Sequence, residues 1–207
     1  CFQCLKLVDL KKARSHVGEH ILRFMRGISE ELSGDPVSPE PCGFCGRSGI
    51  SSCNEVFLTS GSSPQAQTNC AYASKFHYAP SLKSTSTSPC TNVPIRCQIP
   101  GCSALVDKRH TAIWKYNMPA HILAAHKDYS PDGILPGMPI PSEMTTSMLI
   151  TSEEEQWLRI PKENIPPKVT PPVSLASEPT SASVTRAKRL RVDSRTVPKP
   201  PSKRSKK

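Results

Sequence analysis

The chain has 207 residues, 36% hydrophobic and only 5% aromatic, so it can bury one modest core or several small ones but not a large enzyme-like interior. Its 22 prolines and 9 cysteines suit small cross-linked or metal-bound modules joined by extended stretches. The formal net charge of +10 sits at one end: residues 186 to 207 hold ten basic groups against Asp193 alone, which leaves about +1 for everything before them. Nucleic-acid binding by the body therefore needs a local patch and does not follow from the overall charge. No window approaches the roughly 18 apolar residues of a membrane-spanning helix, so no membrane partner is expected.

The sequence begins at Cys1 with no basic-then-apolar leader and reads as a fragment, so the compartment is argued from cysteine usage. Nine is an odd number, and four histidines stand at ligand spacing beside the cysteines, which favours zinc over a secreted disulfide framework. The fold class expected is a set of small α+β zinc-stabilised modules, ββα-like fingers, followed by a disordered basic tail.

Residues 1 to 27 read as an N-terminal zinc finger. Cys1 and Cys4 would lie on a tight turn, with His16 and His20 one helical turn apart on a single face. Asp9 is the expected helix cap and Gly27 the stop, with Leu10, Ala13, Val17, Leu22 and Phe24 as apolar residues. So short a module cannot fold on hydrophobic burial alone, and zinc binding would supply the difference. Eleven residues separate Cys4 from His16, where the two-cysteine, two-histidine finger that this arrangement resembles usually has about twelve.

Residues 28 to 41, with Gly34, Pro36, Pro39 and Pro41, read as a linker, and residues 42 to 128 as a cysteine-rich zinc-binding region ending in a second Cys/His finger. Cys42 and Cys45 form a knuckle whose Gly46 lets the backbone turn toward the sulfurs. Two more ligands must come from Cys53, Cys70, Cys90 or His77; Cys70 and Cys90 are favoured, because Cys53 precedes the β-like Val56-Phe57-Leu58 and suits a buried thiol. Residues 60 to 68 and 81 to 89 read as polar loops. The last set is Cys97, Cys102, His121 and His126. Its helix starts at the Asn117 cap, with Met118, Ile122 and Leu123 inward and Trp114 and Tyr116 covering the site. Histidines five apart diverge by about 140° on an ideal helix, so the helix should tighten or fray before His126. His110, among Asp107, Lys108 and Arg109, is given no role.

Residues 129 to 160 read as a Pro-rich turn and two short helices, 142 to 149 and 152 to 159, the second opened by a Ser152/Glu155 capping box. Residues 161 to 207 lack aromatics and read as a disordered basic tail.

At Ser15-His16-Val17-Gly18-Glu19-His20-Ile21-Leu22, Pro41-Cys42-Gly43-Phe44-Cys45-Gly46, Ser88-Pro89-Cys90-Thr91-Asn92-Val93-Pro94 and Ile113-Trp114-Lys115-Tyr116-Asn117, the sequence resembles a multicopy zinc-finger protein family of mushroom-forming fungi. The likeness spans roughly residues 1 to 160 and implies the ligand pattern and segment order, but no activity. Four residues separate Cys97 from Cys102 where that family commonly has two.

Two to three Zn2+ ions are expected, and a nuclear protein that binds DNA or RNA, with transcriptional regulation following from the finger class. Lys11, Lys12 and Arg14 are the expected phosphate contacts, within an N-terminal excess of +4. Lys188 and Arg189, followed by Lys203, Arg204, Lys206 and Lys207, resemble a bipartite nuclear localisation signal read by an import receptor. The alternative is a zinc-stabilised protein-interaction module whose docking surface is the Trp157 helix pair. No catalytic motif stands out, so no enzyme activity and no small-molecule substrate are expected.

Overall fold

The computed structural model describes residues 1–53, 55–106, 111–130 and 137–167. Residues 1 to 169 form one compact unit. His110, residues 168 to 207 of the basic tail and, with them, all six nuclear-localisation residues lie outside the described residues.

Helix α1 (Leu10–Met25) is the longest element. The Asp9 side chain accepts from the Lys11 amide at 2.8 Å and fixes its start. Gly27, at φ +66°, ends it while the Ile28 amide turns back to the Arg23 carbonyl at 3.0 Å, the left-handed stop expected. The buried stripe differs from the expected one. It runs Arg14, Val17, Gly18, Ile21, Leu22, a regular i, i+3, i+4, i+7, i+8 face, whereas Leu10 and Phe24 are exposed. An arginine and a glycine occupy two of the five core-facing positions, which hid the stripe from a reading based on apolar periodicity.

The strands are short. β1 (Val56–Leu58) pairs antiparallel with β2 (Ala66–Thr68), Val56 opposite Thr68. The second strand falls in a stretch that reads as polar loop, because half-exposed Ala66-Gln67-Thr68 carries little apolar signal. A single-turn helix α2 (Tyr78–Ser81) follows; then β3 (Pro94–Ile95), the short α3 (Ser103–Val106) and β4 (Ile113–Trp114), with β3 antiparallel to β4. Helix α4 (Met118–Ala125) follows a turn of 3-10 helix over Lys115–Asn117. β5 (Tyr129–Ser130) and β6 (Met138–Pro139) pair in parallel. Helices α5 (Ser142–Met148) and α6 (Ser152–Trp157) close the unit.

No strand precedes α1, so the first site is a turn and a helix and not a ββα finger. Three apolar clusters then tie the segments together. Val17, Ile21 and Leu22 of α1 meet Val37, Tyr116, Leu158 and Ile160. Val93, Ile95, Ile99, Met118, Ile122 and Met144 form a second cluster, and Phe44, Val56 and Trp114 a third beside Cys42, Cys45, Cys53 and Cys70. Residues that read as a linker take part: Val37 is buried, and the Gly34 amide donates to the Gln3 carbonyl at 2.8 Å. So do residues that read as the start of the tail, where Ile165 packs on the first cluster and Asn164 Nδ2 donates to the Arg26 carbonyl at 2.9 Å.

Helix α6 is bound to the body by charge. Its cap is Thr151, one residue before the expected Ser152, accepting from the Glu154 amide at 3.2 Å. Glu155 pairs with Arg26 at 2.6 Å instead of reaching back to a cap. Glu154 is fully buried and accepts from the Thr91 amide at 2.7 Å, the Thr91 hydroxyl and the Tyr116 hydroxyl, with Lys115 Nζ at 3.9 Å. Burial pulls the Lys115 ammonium below its ordinary range, against the opposing pull of Glu154. No helix among the described residues is long and apolar enough to cross a membrane.

Candidate metal centres

Among the described residues, three clusters of four side chains each bring their donor atoms within 4.8 Å of one another: Cys1, Cys4, His16, His20; Cys42, Cys45, Cys53, Cys70; and Cys97, Cys102, His121, His126. Whether they fit zinc can be tested from edge lengths. With Zn–S of about 2.3 Å and Zn–N of about 2.0 to 2.1 Å, a tetrahedron has S···N edges of about 3.5 Å and S···S edges of about 3.8 Å. Cys4 Sγ lies 3.3 Å from His16 Nε2, Cys97 Sγ 3.4 Å from His126 Nε2 and Cys102 Sγ 3.5 Å from His121 Nε2. Cys45 Sγ lies 3.8 Å from Cys53 Sγ. Each cluster could hold one zinc ion.

In the first centre the turn at Cys1 to Cys4 is closed by the Leu5 amide donating to the Cys1 carbonyl at 2.9 Å. The helix sets His16 and His20 edge to face, ring centroids 4.9 Å apart. His20 Nδ1 donates to Glu30 at 3.0 Å, and Glu30 also takes Arg23 Nε at 2.9 Å. That leaves His20 Nε2 buried with no hydrogen-bond partner. A buried imidazole lone pair facing two thiols, its other nitrogen held by a carboxylate, is the outer-shell arrangement of a zinc ligand. Burial and then His20 hold the His16 imidazole below its ordinary value, which keeps it neutral and able to bind. Burial works to raise the Cys4 thiol, yet it lies below its ordinary value, drawn down first by the Lys6 backbone amide.

The second centre corrects the expected ligand set. Cys53, not Cys90, completes it. The β1/β2 hairpin explains this: Cys53 comes three residues before Val56 and Cys70 two after Thr68, and Val56 pairs with Thr68, so both thiols lie beyond the same end of the hairpin. Gly46 at φ +73° accommodates the knuckle, its amide returning to the Cys42 carbonyl at 2.7 Å. Hydrogen bonds from Cys42 and Cys70 hold the Cys45 thiol far below its ordinary value, while the contacts of Cys42 with Cys45 and then Cys70, with burial, push Cys42 far above its own. Cys70, which the Cys42 contact would lower, is pushed up to about 12 by Cys45 and burial. Four thiolates on a divalent ion leave a net charge of about −2, and the Arg47 guanidinium beside Cys45 offsets part of it.

Cys90 lies in the first apolar cluster with no exposure. Its Sγ accepts from the Asn92 amide at 3.4 Å and lies 3.8 Å from the Tyr116 oxygen, and burial pushes its thiol up. It sits against Gly18, where an added Cβ would come within 2.2 Å of the sulfur. This thiol is a packing element under α1. His77 precedes α2, exposed and outside every cluster.

In the third centre Gly101 at φ +78° turns the longer Cys97–Cys102 loop, and the Cys102 amide reaches the Ile99 carbonyl at 3.2 Å. Asn117 caps α4 by position but its side chain donates to the Pro41 carbonyl at 2.9 Å. Met118 and Ile122 are buried as expected, whereas Leu123 is exposed. The helix stops at Ala125, and His126 leaves helical geometry with its amide still on the Ile122 carbonyl at 2.8 Å, which brings the two rings to 5.1 Å. Trp114 and Tyr116 do not cover this site; they pack into the third and first apolar clusters. Burial pushes Cys97 up to about 11 and, with His126, lowers the His121 imidazole.

Of the expected phosphate contacts, Lys11 and Lys12 are exposed. Arg14 is buried: Nη1 donates to the Asn92 carbonyl at 2.9 Å, Nη2 to Ser81 Oγ at 3.2 Å, and the guanidinium lies 4.7 Å from the Phe76 ring centroid. It is a structural clamp between α1 and the Cys-rich region. No family profile matches the chain, and no curated protein or solved structure matches it significantly.

Proposed function

We propose that the body is a zinc-stabilised protein-interaction module, carried into the nucleus by its basic tail. The observation that supports this most is the orientation of α1. A helix laid in a major groove needs a free basic face, yet Arg14 is buried under it and Arg23 and Arg26 are committed to Glu30 and Glu155. All four positions of each centre are protein side chains, which supports a structural role for the metal, with no place reserved for water or substrate. The paired basic runs at Lys188-Arg189 and Lys203 to Lys207 support recognition by an import receptor.

Nucleic-acid binding is the second reading. Exposed Lys11, Lys12, Arg159 and Trp157 favour it, since they share one groove on the side of α1 that faces α6, and the tail adds a net +9. One comparison separates the two: filter binding of single-stranded and duplex DNA and RNA to the zinc-loaded full chain and to a variant with Lys203, Arg204, Lys206 and Lys207 changed to alanine. The module reading expects salt-sensitive binding that falls steeply in the variant and ignores Lys11→Glu/Lys12→Glu. Binding that survives in the tail variant and collapses on reversing Lys11 and Lys12 overturns it.

A further inference from the structure

The groove between α1 and the end of α6 is walled by three segments well separated in sequence. Lys11, Lys12 and Glu19 of α1 stand on one side, Thr87 to Pro89 and Trp157 to Arg159 on the others, around about 500 Å³. Each wall is held from behind. Leu158 is buried in the first apolar cluster, the Arg159 carbonyl takes Arg23 Nη1 at 3.0 Å, and Ser84 Oγ donates to the Pro89 carbonyl at 2.7 Å. The shape therefore does not depend on an occupant.

The charge of this groove is uncompensated. Lys11, Lys12 and Arg159 are exposed, and none of the three side chains has a hydrogen bond or ion pair among the described residues. Glu19 is the one carboxylate of the lining against these three cations. Arg159 adopts φ +56°, a left-handed conformation that glycine or asparagine takes with less strain, so a cation is kept here at a cost in backbone energy. Trp157, the one large aromatic of the lining, is 38% exposed.

The patch is short, and that decides between polyanions. Arg14, Arg23 and Arg26, which could have extended it along α1, are committed to Asn92 and Ser81, to Glu30 and to Glu155. A DNA duplex carries about one negative charge per 1.7 Å of axis and would run from the groove onto a body of almost no net charge. Single strands are held by bases stacked on successive aromatics, and this groove offers one. A peptide needs only one apolar anchor and a few acids. The chain's own tail, a net +9, is repelled by the lysines.

We propose that this groove docks an acidic peptide segment of a partner protein, with an apolar side chain against Trp157 and carboxylates toward Lys11, Lys12 and Arg159. The proposal rests on the reading of the body as an interaction module and names its binding site and partner chemistry. The indole contact supplies affinity, and the three cations set polarity and speed encounter.

The test is fluorescence anisotropy with the zinc-loaded full chain, Lys203, Arg204, Lys206 and Lys207 changed to alanine to weaken the tail as a competitor. The probe is a labelled synthetic peptide of about twelve residues, glutamates around a central pair of leucines. One control replaces glutamate by glutamine, another leucine by serine. The acidic peptide should bind about tenfold tighter than either control. Lys11→Glu/Lys12→Glu should weaken it about tenfold and Arg159→Asn several-fold, with zinc content and melting temperature unchanged. Acids suit the first turn of a helix and asparagine suits a left-handed position, so neither variant disturbs the fold. Equal binding of the glutamine peptide overturns the proposal, and so does binding that ignores both groove variants, because the tail would then be the receptor. If the peptide fails in this way while the body still ignores nucleic acid, the groove proposal falls alone. If an oligonucleotide binds the same tail variant and is lost on reversing Lys11 and Lys12, the module reading falls as well.

Discussion

Single residues decide which thiols are ligands and which are packing. Glu30 does not touch a metal, yet it holds His20 in the orientation and tautomer that point Nε2 at the sulfurs. Glu30→Ala should weaken zinc at the first centre by about 10- to 100-fold and leave the other two unchanged, as read by competition with a chromophoric chelator. An unchanged affinity would mean that the carboxylate is incidental. Gly18 makes the opposite point, since it is where α1 passes over Cys90. Alanine there would gain up to about 1 kcal/mol in helix propensity, but its methyl would overlap the sulfur. Gly18→Ala should therefore be destabilising by roughly 1 to 3 kcal/mol in denaturant melts, and stabilisation would show that α1 can lift away. The His16/His20 and His121/His126 pairs were legible in the sequence because a helix repeats every turn and ligand spacing maps directly onto it. Cys53 was not, because its partnership with Cys70 depends on a hairpin whose second strand carries no apolar alternation. Arg14 was not either: its acceptor, the Asn92 carbonyl, lies 78 residues away in sequence.

At the scale of elements, α6 shows how a short polar helix can be held. Ser152–Trp157 has Glu153, Glu154 and Glu155 in its first turn and would be marginal alone. Glu154 reaches into a fully buried pocket formed by Thr91, Lys115 and Tyr116, and Glu155 takes Arg26 at the end of α1. Burial and the neighbouring Cys90 and Glu154 push the Tyr116 hydroxyl well above its ordinary value, so it stays protonated and donates. Glu154→Gln should cost about 3 kcal/mol or more, because the buried Lys115 ammonium then has no counter-charge. Thermal unfolding with all three zincs retained is the expected signature; loss of a zinc would mean that α6 helps shape a centre. The two helices themselves were legible from spacing and turn residues, but the cap moved by one position because Thr151 Oγ, not that of Ser152, meets the Glu154 amide.

At the scale of the molecule, the three centres do not stabilise three independent beads. The first apolar cluster draws on α1, Val37, Cys90, Tyr116 and the Leu158–Ile160 end, so a metal lost at one end loosens packing shared by all. Ligand spacing made the first and third Cys/His clusters legible; the common core was not, because contacts from residue 17 to residue 158 leave no local pattern. Chelation of the zinc-loaded chain should therefore give one cooperative loss of near-ultraviolet circular dichroism, and three separate steps would contradict a shared core. Acid should act in the same direction. Metal binding requires thiolates, and Cys70 near 12 and Cys97 near 11 mean that zinc displaces protons there, so affinity falls as pH falls. The four-thiol centre, with most protons to displace, should show the steepest decline in a pH-resolved chelator titration.

The most direct test is zinc stoichiometry by native mass spectrometry of the full chain and of Cys4→Ser, Cys53→Ser, Cys90→Ser and Cys102→Ser. Three bound zincs are expected in the parent and in Cys90→Ser, and two in each of the other variants. Three zincs in Cys53→Ser with two in Cys90→Ser would contradict the second centre, and none in the parent would contradict the account as a whole.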